Sequence, residues 1–87
     1  MVRKNCQYMA IDANGHPFEV VYGKNIGDVK ISNNFLDLAN YIAYYNHRCY
    51  AKLLVKYDDG AWKSASYACQ KKFNEELNSK FFFHEIK

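Results

Sequence analysis

The stretch CYAKLLVKY, residues 49–57, constrains this chain more than any other segment. Cys49, Ala51, Leu53, Val55 and Tyr57 fall on one side of an extended backbone, and Tyr50, Lys52, Leu54 and Lys56 on the other. Strand side chains alternate with a period of two, so this reads as a strand with one buried face and one wetter face. Such a strand needs pairing partners for its backbone and a cover for its apolar side. DDG, residues 58–60, follows as a turn, because Asp and Gly supply the local hydrogen bonds and backbone freedom that a reversal uses.

A tight two-residue turn at Asp59-Gly60 pairs Tyr57 with Trp62, Lys56 with Lys63, Leu54 with Ala65 and Lys52 with Tyr67. That register sets two like charges directly opposite each other, which is destabilising. A competing reading starts a helix at Trp62, because Trp62, Cys69, Phe73 and Leu77 also recur at helical spacing. It removes the second strand and the conflict together.

Upstream, NCQYMAID alternates and runs into an Asn14-Gly15 turn, predicting a hairpin that pairs Ala13 with His16, Ile11 with Phe18 and Met9 with Val20. Pro17 lacks an N–H and places the second strand at or near an edge. GKNIGDVKIS reads as a loop with a short extended piece at 29–31. SNNFLDLANYIAYYNHR predicts a helix capped by Ser32 or Asn33, with Phe35, Leu38, Ala39, Ile42 and Tyr45 inward. Tyr41 and Tyr44 fall outside that stripe. YACQKKFNEELNSK predicts a second helix with Cys69, Phe73 and Leu77 inside, and FFFHEI a final strand paired on both sides. The expectation is one domain over residues 1–87. It is of the α+β class, with a mainly antiparallel sheet of four to five strands and two helices on one face. The order is ββαββαβ, or ββαβαβ if residues 61–67 are helical.

Composition limits function. Eighty-seven residues bury only roughly 60–65% of the unfolded surface, leaving a thin core. Eight Tyr, six Phe and one Trp cannot all fit inside it, so some rings are exposed, where amphipathic aromatics favour interfaces. No apolar run reaches the roughly 18 residues that span a bilayer, and the first residues lack the apolar core of a secretion signal. Three Cys without close spacing suit reduced thiols and a cytoplasmic setting.

Three His and three Cys form no close ligand pair, so no metal or other cofactor is expected. Asp58-Asp59 reads as turn chemistry, with nothing beside it to complete a catalytic site. The glycines form no phosphate-binding loop. These readings argue against an enzyme.

Binding is better supported. Residues 1–47 carry four basic and four acidic residues, whereas 48–72 carry six and two. Arg48, Tyr50, Lys52, Lys56, Lys63, Tyr67, Lys71 and Lys72 are candidates for contact with RNA, single-stranded nucleic acid or an acidic partner. Tyr41 and Tyr44 are candidates for a protein interface, and an exposed edge near Pro17 or Lys63 for a homodimer. No motif assigns a family. In composition alone, the short chain rich in Asn, Lys, Tyr and Phe resembles accessory proteins of phages and mobile elements. That resemblance implies a small inhibitor or modulator whose partner is a host or defence-system protein.

Overall fold

The computed structural model describes residues 6–58 and 60–86, without the side chains of 82–86. The amino-terminal stretch read above for a secretion signal, Asp59 of the turn, and the side chains of Phe82, Phe83 and His84 lie outside the described residues. Three strands and two helices make a small α+β fold: β1 (Cys6–Ile11), α1 (Phe35–Tyr41), a π-helical turn (Ile42–Asn46), β2 (Lys52–Tyr57), β3 (Lys63–Ser64) and α2 (Tyr67–Ile86). The sheet is antiparallel in the order β1-β2-β3, so the segment that reads most clearly as a strand is its centre.

β1 lies against β2 with Tyr8 opposite Val55 and Ala10 opposite Leu53. These positions face the helices. Ala10, Ala51, Leu53 and Phe18 form one buried cluster with Leu38, Ala39, Ile42 and Ala43 of the first helical segment and Phe73 and Leu77 of α2. Tyr8 packs at its margin, its ring edge-on to Phe35 at 5.4 Å. A hydrogen bond with the Cys6 side chain, and then burial, hold the Tyr8 phenol above its ordinary pKa range.

The amino-terminal hairpin turns where expected but in a different register. Ile11 bridges Pro17, the Asp12 amide donates to the His16 carbonyl, and the Phe18 amide donates to the Ala10 carbonyl. The loop therefore holds three residues, Ala13 to Gly15. Asp12 Oδ1 accepts from the amides of Asn14 (2.9 Å) and His16 (3.0 Å), and Gly15 takes φ 83°, a conformation that suits glycine. A one-residue slip exchanges the faces of a strand. Phe18 and Ala10 are accordingly buried, while Met9 and Ile11 are half-buried on the other side. The returning segment makes isolated bridges instead of a full strand. Glu19 bridges Val29, and Ser32 bridges Tyr8, which covers the second edge of β1.

The second turn departs from expectation in the same way. Leu54 lies opposite Ser64 and Val55 opposite Lys63, so the reversal spans residues 58–60, with the Gly60 amide donating to the Tyr57 carbonyl at 2.7 Å. The like-charged Lys56/Lys63 pair does not form. Residues 61–67 are divided between the two readings: Lys63–Ser64 is a strand, and the helix starts at Tyr67.

α1 is capped by Asn34, whose Oδ1 accepts from Leu36 and Asp37, while Ser32 Oγ supports Asn34. α2 opens on Ser66, whose Oγ accepts from the Cys69 amide. It then runs through FFFHEI, so the predicted final strand is helix. No Gly or Pro interrupts residues 67–86, and Phe73, Leu77 and Phe81 recur every fourth residue against the core. Continuation of a packed helix overrides the strand preference of Phe and Ile.

Candidate interaction surfaces

Two surfaces emerge. The first is built at the end of the first helical segment. There, Ile42–Asn46 forms a π turn, which holds one more residue per turn than an α turn. The inward stripe consequently passes from Ile42 and Ala43 to half-buried Asn46, and Tyr45, expected inside, is exposed together with Tyr44. The Asn46 amide oxygen is buried without a hydrogen-bond partner, so this geometry carries a local cost. His47, in the left-handed region at φ 54°, ends the turn.

Tyr45 is the hub of an aromatic cluster. Its ring lies 4.6 Å from that of Tyr41, 4.7 Å from Tyr44 in an edge-on arrangement, and 5.9 Å from Tyr22 in a stacked one. The Tyr41 hydroxyl accepts from the Val21 amide (2.9 Å) and the Tyr22 amide (3.3 Å), tying the 21–22 loop to the helix. Lys30 places its ammonium 4.3 Å from the Tyr41 ring centroid. Tyr22 remains 72% exposed and Tyr44 51%, whereas Tyr41 is half-buried. The two predicted interface residues are thus brought together, with Tyr41 as the anchor of the cluster and Tyr44 on its surface. Tyr22 and Tyr45 were not foreseen. Tyr22 lies in a loop without periodicity, and the α-helical pattern places Tyr45 inside.

The second surface is the sheet face turned away from the helices. Lys52, Leu54 and Lys56 lie there, opposite Ile11, Met9 and Gln7. Trp62 stands next to Lys56, whose ammonium is 5.8 Å from its ring centroid. The other predicted basic residues are dispersed. Lys63, opposite Val55, shares the other face and sits 5.0 Å from the Tyr57 ring. Lys71 and Lys72 are exposed on α2, Tyr67 is its first residue, and Arg48 and Tyr50 are exposed in the connection before β2. The register makes the difference: each lysine of the predicted like-charged pair lies over an aromatic ring instead.

Among the described residues, no three His, Cys, Asp or Glu side chains are grouped to hold a metal ion, and no helix is long and apolar enough to cross a membrane. Comparison with protein-family models, curated proteins and solved structures gives no match.

Proposed function

We propose that this chain is a small cytoplasmic binding protein that modulates another macromolecule by occupying its surface, without catalysis, and that the Tyr22/Tyr41/Tyr44/Tyr45 cluster is its docking site for a protein partner. The observation that carries this reading is the cluster itself: four rings fixed against one another, two of them largely in solvent. Tyrosines supply large contact area at low entropic cost and are enriched among interface hot spots. Rings already held by mutual packing and by the Tyr41 hydroxyl have little freedom left to lose on binding. The compositional resemblance to phage accessory proteins favours a host or defence-system protein as the target.

The test is affinity capture on the tagged protein, with and without nuclease, beside Tyr22→Ala and Tyr44→Ala variants. A protein retained after nuclease treatment and lost with either substitution supports the reading. Retention by both variants, or loss on nuclease treatment, counts against it. Sedimentation of the purified protein covers the remaining option: a homodimer dispersed by Tyr44→Ala makes a second copy the occupant of this surface.

A further inference from the structure

The sheet has one face sealed and one face open. Lys52, Leu54 and Lys56 of β2 point to the open side, flanked by Gln7, Met9 and Ile11 across β1 and by Ser64 across β3. The β2–β3 register, carried one step beyond Lys63, sets Trp62 beside Lys56, in agreement with their 5.8 Å separation. Met9, Ile11, Leu54 and Trp62 are only half-buried, so aliphatic and indole surface reaches solvent. The residues of β1, β2 and β3 turned to this face carry two ammonium groups and no carboxylate; the exposed Glu19 follows at the β1 edge, two residues past Pro17, the bridge partner of Ile11. Lys52 and Lys56 lie four residues apart on one strand, about 13 Å at the usual rise. A line of positive charge therefore runs beside a flat apolar strip.

We propose that this face binds single-stranded nucleic acid, with a base stacked on Trp62 and over the neighbouring aliphatic side chains, and phosphates held by Lys52 and Lys56. The charge complementarity lies on β2, where a polyanion meets two cations and the paired strand residues carry no acid. Open antiparallel sheets carrying aromatic side chains are suited to unpaired bases, because every base has a ring face to stack and none needs to be read by its edges. The proposal stands apart from the tyrosine cluster, which involves other elements, and either can fail without the other.

The chain reports on this site itself, because Trp62 is its only tryptophan. Titration with oligouridylate or oligothymidylate at low salt should quench Trp62 emission. The logarithm of the binding constant should fall with the logarithm of salt at a slope of about −1.4 for two contacted phosphates, and about −0.7 in Lys52→Gln or Lys56→Gln. Followed by anisotropy of a labelled oligonucleotide, Trp62→Ala should weaken binding roughly tenfold, and Tyr44→Ala should leave it unchanged. Far-ultraviolet circular dichroism checks that each variant is folded. Absence of quenching at low salt overturns the proposal. So does equal affinity for duplex DNA, which means charge attraction without stacking, or equal quenching by polyglutamate, which makes the occupant an acidic polypeptide. Loss of binding in folded Tyr44→Ala overturns the placement on the sheet.

Discussion

Leu53 and Leu54 are adjacent in sequence and face opposite sides of the same strand. Leu53 is fully buried in a cluster with Phe73 and Leu77, whereas Leu54 is half-buried between Met9 and Ser64 on the open face. Both belong to the β1–β2 ladder, so the main difference in their contributions comes from what covers the side chain. Removing a buried Leu side chain loses its transfer free energy and leaves a cavity, together about 2–5 kcal/mol. For Leu53→Ala that is a large part of what a domain this small can hold. Leu54→Ala opens no sealed cavity and should cost about 1 kcal/mol or less. Urea unfolding of the two variants measures the contrast. Equal losses would mean that the outer face is covered as fully as the inner one.

A smaller effect is expected where the sealed side meets the end of the sheet. β3 is only two residues long and leaves part of the β2 backbone without a strand partner. Gln70 of α2 fills that place: its Oε1 accepts from the Leu53 amide at 2.8 Å, and its Nε2 donates to the Ala51 carbonyl at 3.0 Å. One side-chain amide thus provides the donor and acceptor of a missing strand residue. Gln70→Ala leaves both partly buried groups unpaired, a loss of about 1–3 kcal/mol. Gln70→Glu keeps an acceptor for Leu53 but has no donor for Ala51, and should not recover full stability. Hydrogen exchange at the Leu53 amide gives the local readout, since protection there should fall in Gln70→Ala before it falls elsewhere.

This division of the molecule was partly legible in the sequence. The alternation of β2 identified Ala51, Leu53 and Val55 as inward and Lys52 and Lys56 as outward, because a strand buried on one face imprints its period directly. Leu38, Ala39, Ile42, Phe73 and Leu77 were identified in the same way on the helices. Loop length was not legible. Asn14-Gly15 and Asp59-Gly60 both suggest two-residue turns, yet both reversals take three residues and move their partners by one place. The choice depends on details such as the Asp12 carboxylate reaching two amides, and the residue types that favour one turn favour the other. The shift sets Trp62 beside Lys56 and moves Lys63 to the opposite face. The carboxy-terminal phenylalanines misled for a related reason: local propensity speaks for a strand, and only the packing of α2 shows that a helix continues. The tyrosine cluster depended on a π turn and a loop contact, for which the sequence carries no periodic signal.

The smallest expected effect concerns the loop that decides which β1 residues reach the open side. The hydrogen bond from the His16 amide, against an opposing effect of desolvation and aided by the weaker contribution of the Asn14 amide, holds the Asp12 carboxyl below the usual aspartate range. A carboxylate whose pKa is lower folded than unfolded binds protons more weakly in the folded state. Its contribution is therefore complete above the ordinary aspartate range and is lost as pH falls through the depressed value. Asp12→Asn retains an oxygen that can accept the same two amides but does not titrate. It should fold with the wild-type register and stability near neutral pH, and its stability should decline less steeply through the acid range. Parallel urea titrations at neutral pH and below pH ~4 separate the two proteins. Identical acid limbs would show that the loop is set by backbone contacts alone, with Gly15 and the Asp12 carbonyl sufficient to fix the register that turns Met9 and Ile11 outward.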